Sequence, residues 1–430
     1  MIPRYEQEDI TRIWSDEHKF ETFLKVELAL LSALEGDKIP PGTTEKIHKS
    51  VHINSQRIQE IEKATHHDVI AFCTSITEQL PTEIGKFFHF GATSSDIIDS
   101  AMSIQIKESL DLIIPALQEL LSAVYHKAQE TSDLLAMGRS HGMDAEPMIF
   151  GQKFLGHYAE FFRRYQDLQH FYQNELTIQL SGAVGNYTIV SPEVEEKAGQ
   201  ILGMPIEPVS TQVTPRDHLA KLISIHGLLA AAIERACVEI RHLSRSDVAE
   251  VSEGFKKGQK GSSTMPHKKN PIATENLTGI SRLLRSHVQV ALENIVLWHE
   301  RDISHSSTER LYLPDNLALM LYSLRRLKEV IVNLEIHHDN IENKVKNNPN
   351  YLSSFYLHFL LEKTTLSRDE IYTFVQKAAF SGQGLRTSLQ RFLAEAGHNV
   401  SLPESDFDQM KKFYQQHYQT ISERIKTVSA

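Results

Sequence analysis

Cysteine is scarce in this 430-residue chain, which contains only Cys73 and Cys237. The two are far apart in sequence and form no C-x-x-C pattern, so neither a disulfide framework nor a cysteine metal or redox site is supported. Long apolar runs are also lacking, since no stretch approaches the roughly 18 uncharged residues of a membrane span. The opening "MIPRYEQEDITRIW" lacks the features of a signal peptide. We therefore expect a cytoplasmic protein.

Basic stripes and cofactor motifs are equally absent. The formal net charge is −10, and no long basic segment offsets it, which argues against a nucleic-acid surface. The sequence has no P-loop, no dinucleotide fingerprint, no H-E-x-x-H pair and no Asp-rich loop suited to magnesium. We expect no metal and no cofactor, and any anionic ligand must be held by cations that are gathered locally.

Helical periodicity is the dominant pattern in the sequence. One apolar face recurs every three or four residues through Leu222, Ile225, Leu229, Ile233, Ala236, Ile240 and Leu243. Similar patterns predict five long helices, over residues 101–130, 148–178, 217–246, 272–298 and 314–343. Such spacing is incompatible with strands, so the predicted fold class is all-α with a central long-helix bundle.

The pattern also suggests a division into three domains. Shorter helices are predicted near 17–35, 55–63 and 68–79, and Ser367 with Glu370 forms the sequence signature of a capping box. We expect an N-terminal helical domain over 1–110, the long-helix bundle over 111–365 and a C-terminal helical domain over 366–430. Long helices with mixed apolar faces usually need partners, so we expect a symmetric oligomer rather than a monomer that satisfies them internally.

Five polar segments lie at predicted helix ends. They are "THHDV" (65–69), "HFGATSSD" (89–96), "GRSHGMDAEP" (138–147), "GSSTMPHKKNP" (261–271) and "WHERDISHSSTER" (298–310). Any one alone is better explained as a capped helix end or a solvated linker, but five together favour loops that converge on a site. Imidazoles transfer protons near neutrality, and lysine, arginine and serine hold carboxylates or phosphates. The residues predict cofactor-free proton chemistry on a polyanionic small molecule.

Residues 261–271 are similar to the signature of the fumarase/aspartase superfamily, whose members release fumarate by β-elimination or carry out related additions. The opening segment, "THHDVIAF", "SGAVGNY" with "STQ", and "LWHERDISHSSTER" further resemble the adenylosuccinate lyase family, from residue 1 to beyond 310. This resemblance implies an all-α homotetramer whose active sites draw loops from three subunits. It implies release of fumarate from adenylosuccinate, giving AMP, and from succinyl-aminoimidazole-carboxamide ribotide, giving the free carboxamide ribotide, in purine nucleotide biosynthesis.

The resemblance also implies catalytic roles for individual residues. Ser262 corresponds to the base, His141 to the general acid, and His67 to a histidine near the substrate phosphate that orients the acid. Lys268 would stabilise the developing dianion. Glu275 could hold an imidazole in the needed tautomer, or could simply be an N-terminal glutamate favoured by the helix dipole. The remaining positions matched to substrate binding are Arg4, Tyr5, His66, Asp68, His89, Thr93, Ser94, Gln212, Ser263, Asn270, Arg301, Ser306 and Arg310.

Three positions depart from the family pattern. Ser140 replaces a threonine, Asp144 a histidine and His66 an arginine. We expect Asp144 to lie outside direct contact with substrate, and the loss of a permanent charge at residue 66 to affect affinity rather than reaction type. His89 could instead be a satisfied structural histidine.

Two alternative functions remain open at this point. Carboxymuconate cycloisomerases share the 261–271 signature, but they hold no nucleotide, so the Arg4–Tyr5 pair and the 301–310 segment argue against that activity. A helical scaffold that has lost catalysis is the second alternative. The joint presence of Ser262, His141, Lys268 and Asn270 argues against it.

Overall fold

The computed structural model describes residues 2–254, 265, 267–348, 350–404 and 407–425. Six helices precede residue 90: α1 (Glu8–Ile13), α2 (Asp16–Leu34), α3 (Thr43–Ser50), α4 (Ser55–Thr65), α5 (Asp68–Thr77) and α6 (Thr82–Gly85). The middle of the chain forms α7 (Ser94–Glu130), β1 (Leu135–Ser140), β2 (Met143–Ile149), α8 (Gly151–Asn174), α9 (Pro192–Leu202), α10 (Asp217–Leu243), β3 (Val251–Ser252), α11 (Ile272–Glu293), α12 (Ser304–Val332) and β4 (Glu335–Ile336). The last five helices are α13 (His338–Lys346), α14 (Ser353–Lys363), α15 (Arg368–Ala379), α16 (Leu385–Glu395) and α17 (Phe407–Glu423).

The predicted all-α class is confirmed. In the described ranges the strands form only two short antiparallel pairs, β1 with β2 and β3 with β4. The five predicted long helices correspond to α7, α8, α10, α11 and α12. The predicted capping box at the start of α15 is also present, because Ser367 accepts from the Glu370 N–H while the Glu370 carboxylate accepts from that of Ser367. No helix among the described residues is long and apolar enough to cross a membrane.

Several predicted boundaries were wrong, including the ends of α11 and α12, which are Glu293 and Val332 rather than residues 298 and 343. The helix expected to start at residue 314 begins at Ser304, with Pro314 inside it. An internal proline costs about 3 kcal/mol, and here Leu313 and Leu317, only 1% and 0% exposed, pack on either side of it. Burial of these side chains offsets the missing hydrogen bond. The helix expected from residue 148 starts at Gly151, because the preceding residues pair as strand β2.

The chain divides into two compact units. The first comprises residues 1–120, 161–235 and 276–327, and the second 121–160, 236–275 and 328–430. Unit boundaries therefore fall inside the five long helices. The division into three domains at 110 and 365 stays a prediction.

Each unit has its own core. In the first unit, Phe20, Phe23 and Phe72 pack with ring centroids 5.6–6.1 Å apart. In the second unit, a cluster in the last helices contains Tyr356, Leu360, Ile371, Val375, Ala378, Leu385, Leu389, Leu393 and Leu402. These apolar contacts are the main stabilising term in both units.

A buried ion cluster lies in the first unit. Arg216, 3% exposed, binds Asp99 through Nη1 and Nη2 at 2.6 and 3.0 Å, and Glu309 through Nε and Nη2 at 3.0 and 3.2 Å. Burial raises the pKa of Glu309 to about 7, against the opposing effect of the Arg216 charge. One cation thus holds two buried carboxylates, one on α7 and one on α12.

We predict that Arg216→Met lowers the free energy of unfolding by about 3–5 kcal/mol, because two buried acids lose their cation. The matched control is Arg57→Met, which removes the pair between Arg57 and Glu78, 46% and 44% exposed, and should shift stability far less because solvent screens exposed pairs. Thermal midpoints measured in the same buffer compare the two. Equal shifts would contradict the prediction.

Candidate active site

The N-terminus of α7 is fixed by a buried carboxylate. Asp96, fully buried, accepts from the Thr93 N–H through Oδ2 at 2.8 Å and from the Gly182 N–H through Oδ1 at 3.3 Å. Burial raises the pKa of Asp96 to about 7, although these two backbone donors act in the opposite direction. Asp96 thereby ties the start of α7 to Gly182, in the segment between α8 and α9.

His67 caps α5 and contacts Ser94. Its Nδ1 accepts from the Ile70 N–H at 3.3 Å, so the proton of the neutral ring is assigned to Nε2, which lies 3.5 Å from Ser94 Oγ. The neighbouring Asp68 accepts from Arg310 Nη2 at 2.9 Å. The ring of His67 is therefore held in one tautomer by the backbone of its own helix.

Gln212 links two further segments. Its Nε2 donates to the Ala183 carbonyl and its Oε1 accepts from Arg301 Nη1, both at 2.9 Å. The close packing here requires glycine at residue 185, where φ is +75° and a Cβ would lie 2.3 Å from the Ser210 carbonyl oxygen. The Nε of Arg301 is buried and has no hydrogen-bond partner within the described part of the chain. It is a donor positioned for an oxygen that the described residues do not supply.

These contacts link the predicted residues of the first unit one after another. Arg310 binds Asp68, whose neighbour His67 contacts Ser94. Thr93, next to Ser94, donates to Asp96, which also accepts from Gly182, and the adjacent Ala183 accepts from Gln212, the residue that binds Arg301. We call this set of predicted residues the first-unit cluster: His67, Asp68, Thr93, Ser94, Gln212, Arg301 and Arg310. The structure thus brings together seven residues that were singled out on sequence grounds.

Other predicted residues of the first unit lie outside this cluster. Tyr5 accepts from Asn276 Nδ2 at 3.0 Å and packs edge-to-face on Tyr322. Arg4 and His66 are exposed, and Ser306 is half-buried in the first turn of α12. His89 donates from Nδ1 to the buried Glu27, with 2.6 Å between Nδ1 and Oε1.

Backbone strain concentrates in the polar segments. Six described residues other than glycine have positive φ, and four of them are histidines: His66 at 51°, His89 at 61°, His141 at 55° and His299 at 50°. The left-handed region is uncommon for residues with a Cβ and costs on the order of 1–3 kcal/mol each. Such strain is typical of functional sites, where a side chain must point in one direction.

His141 lies at the tip of a β-hairpin in the second unit. Strands β1 and β2 are joined by His141 and Gly142, whose φ angles of 55° and 79° are those of a type I′ turn. The prediction that residues 138–147 form a loop at a helix end was wrong in this respect. A two-residue turn places the exposed imidazole between the ends of two strands instead.

Asp144, which departs from the family pattern, is engaged by the same hairpin. It faces Arg139 across the strands and accepts from Arg139 Nε at 3.1 Å. The guanidinium of Arg139 also donates to both carboxylate oxygens of the buried Glu250, at 3.1 and 2.5 Å. The negative charge of Asp144 is thus balanced by the neighbouring charge of Arg139.

Three predicted residues line a cavity of about 710 Å³ in the second unit: Lys268, Asn270 and Glu275. The same cavity is lined by Arg241 and Arg245, so cations outnumber acids among its charged side chains. Glu275 is exposed in the first turn of α11. Ser262 and Ser263, with the rest of residues 255–264, lie outside the described residues.

Sequence reasoning missed the supporting acids. Glu27 lies between Val26 and Leu30 on the apolar face of α2 and is 0% exposed. An acid at a position that helical periodicity buries needs a partner, and that signal could have identified Glu27 from the sequence. Asp96 gave no such signal, because it lies in a segment of mostly polar residues.

The comparisons with known proteins agree on the family. A family model described as "Lyase" matches residues 11–284. The chain is 41% identical to adenylosuccinate lyase of Thermotoga maritima over 92% of both chains, and 42% identical to that of Synechocystis sp. over 88% of both. The solved structure of 3-carboxy-cis,cis-muconate lactonizing enzyme from Pseudomonas putida shares the fold, with a TM-score of 0.84 and 22% identity over 98% of each chain. The chain belongs to the adenylosuccinate lyase family.

Proposed function

We propose that this chain releases fumarate from adenylosuccinate, giving AMP, and from succinyl-aminoimidazole-carboxamide ribotide, giving the free carboxamide ribotide. It acts as a cytoplasmic C–N lyase in purine nucleotide biosynthesis, without metal or cofactor. The family relationship over most of the chain carries this proposal. The first-unit cluster supports it, because its residues have the donors that a phosphate and carboxylates require.

The first chemical step is loss of a proton beside a carboxylate. It proceeds only if the developing dianion is stabilised, and Lys268 and Asn270 supply donors of the right type. Ser262 is the base in this proposal. A hydroxyl is a weak base, so it must act as an alkoxide favoured by positive charge. Arg241 and Arg245 line the same cavity as Lys268 and Asn270 and add to its positive charge.

The second step is protonation of the departing nitrogen, which we assign to His141. An imidazole can release a proton near neutral pH, and a rigid turn reduces the freedom that must be lost on binding. His67 orients this acid near the substrate phosphate in the proposal. Its fixed Nε2–H proton supports such a role.

Substrate anions are held by helix ends and arginines. The N-terminus of α7, a helix of 37 residues, favours negative charge at Thr93 and Ser94. Arg301 offers its unpartnered Nε, and Arg310 is exposed beyond its contact with Asp68. Guanidinium groups bind carboxylate and phosphate with two parallel hydrogen bonds.

Homotetramer formation, with active sites shared between subunits, is part of the same proposal. Apolar side chains on or beside the long helices are exposed: Leu228 by 53%, Leu292 by 50%, Trp298 by 77% and Leu311 by 77%. Exposed apolar surface on a folded chain is typical of protein contacts. A partner subunit would cover it.

We predict that the purified protein converts adenylosuccinate to AMP and fumarate, followed by absorbance, with no added metal and in the presence of EDTA. Argininosuccinate and carboxymuconate serve as comparison substrates. Turnover of either of these without turnover of adenylosuccinate would exclude the proposed activity.

We predict that His141→Ala and Ser262→Ala each lower kcat by roughly 10²–10⁴-fold, the usual contribution of general acid–base catalysis. The matched controls are the exposed His358→Ala and Ser401→Ala, which should leave kcat unchanged. Size-exclusion chromatography checks that the oligomer persists. Near-normal turnover in either test variant removes that residue from the mechanism.

We predict that mixing inactive His67→Ala and His141→Ala proteins, with exchange of subunits, restores part of the activity. Shared sites allow an intact His67 from one chain to meet an intact His141 from another. A mixture of His67→Ala with His67→Leu is the control, since no combination of its subunits contains an intact residue 67. Equal activity in both mixtures argues against shared sites.

A further inference from the structure

The pair formed by Glu27 and His89 combines a fully buried acid with a partly exposed histidine. Glu27 is 0% exposed, in the middle of α2, while the side chain of His89 is 25% exposed. The 2.6 Å between Glu27 Oε1 and His89 Nδ1 is short for a hydrogen bond and is typical of a charged pair. This contact is the one hydrogen bond that the described residues give to the His89 ring, which leaves Nε2 for another acceptor.

The backbone also holds His89 in an unfavourable conformation. Its φ of 61° lies in the left-handed region, just before the turn that leads to Thr93 and α7. A glycine there would avoid this strain. Two constraints therefore fix the orientation of the imidazole: the backbone conformation of His89 and its hydrogen bond to Glu27.

Charges around His89 favour its protonated form. Burial by itself would lower the pKa of His89, but the hydrogen bond and charge of Glu27, with a smaller effect of Asp96, raise it above its ordinary value. The third neighbour is the Cys73 thiol, whose pKa is raised by burial and by Glu27, so it stays uncharged. Two acids therefore act on the ring, Glu27 from α2 and Asp96 from α7, and both favour the charged imidazolium.

We propose that Glu27 is a positioning residue: it keeps His89 as an imidazolium whose Nε2–H binds a phosphate oxygen of the nucleotide. This rests on the proposed function, in which the resemblance places His89 among the residues that bind the substrate. A neutral imidazole could also donate one hydrogen bond, but without the charge that makes binding to a phosphate strong. Glu27 thus raises the pH at which His89 loses this charge.

The test is the equilibrium binding of AMP and of adenosine to wild type and Glu27→Gln, by calorimetry at pH 6 and pH 8. EDTA is present throughout, because donor atoms of Glu27, Cys73 and His89 lie within 4.8 Å of one another and could trap a metal. Without the buried charge, His89 is neutral at pH 8. We expect Glu27→Gln to bind AMP roughly tenfold more weakly than wild type at pH 8.

At pH 6 that difference should shrink to under about threefold, because the imidazole can then take up a proton on its own. At pH 8 the variant should take up more protons on binding AMP than wild type does, measured with buffers of different ionisation enthalpy. Adenosine, which has no phosphate, should bind both proteins equally. A loss that is equal for AMP and adenosine, or that does not depend on pH, overturns the proposal.

The matched control is Glu207→Gln, which removes another buried acid paired with a histidine, since Glu207 Oε2 lies 3.0 Å from His218 Nε2 in the same unit. It should leave the pH dependence of AMP binding as in wild type. His89→Asn provides a second variant, because asparagine tolerates positive φ. It should weaken AMP binding at both pH values, and an unchanged affinity would overturn the proposal even if Glu27→Gln fails to fold.

Fumarate release by the wild-type preparation separates the two proposals. A wild type that neither binds AMP nor releases fumarate contradicts the proposed function, and the role of Glu27 falls with it. A wild type that does both, beside a Glu27→Gln protein with unchanged AMP affinity, contradicts the role of Glu27 alone.

Discussion

The contact on which most of the first unit depends is the buried guanidinium of Arg216 between Asp99 and Glu309. Each of the three residues lies close in sequence to part of the first-unit cluster. Asp99 is in α7 shortly after Thr93 and Ser94, and Glu309 directly precedes Arg310 in α12. Arg216 follows Gln212 by four residues. A single cation thus fixes three segments that are far apart in the chain, in a geometry that leaves little freedom for the side chains beside it.

Buried acids recur behind the exposed cations and donors of this protein. Glu27 lies behind His89, Asp96 behind the start of α7, and Glu250 behind Arg139 near the tip of the hairpin. A chain with an excess of acidic residues can still present positive charge locally when its acids are buried and its cations point outward. The overall charge of −10 is therefore compatible with binding an anion.

The long helices could be predicted because each buries one apolar face, and that face repeats at helical spacing in the sequence. The start of α12 could not be predicted, because proline is favoured in the first turn of a helix, whereas Pro314 lies inside this one. The hairpin around His141 was missed for a different reason. Its turn uses histidine and glycine where asparagine and glycine are the usual signal, so the sequence resembles an ordinary loop.

Much of the candidate site could be identified from motifs, since His67, Ser94, Gln212 and Arg301 do connect in the folded chain. The contacts that join these residues could not be predicted, because Asp96 and the Gly182–Ala183 backbone come together only in the folded chain. Glu27 is the intermediate case. Its position on a buried helix face is visible in the sequence, whereas the histidine it meets lies 62 residues away.

The histidines in left-handed backbone have a consequence for how this chain tolerates change. At positions 66, 89, 141 and 299, glycine would adopt the same backbone angles with less strain, yet each position carries an imidazole. The folded chain therefore carries backbone strain at each of these four histidines. Glycine at these sites would relax the backbone but remove whatever the rings recognise, and at residue 89 it would also leave the buried Glu27 without its partner.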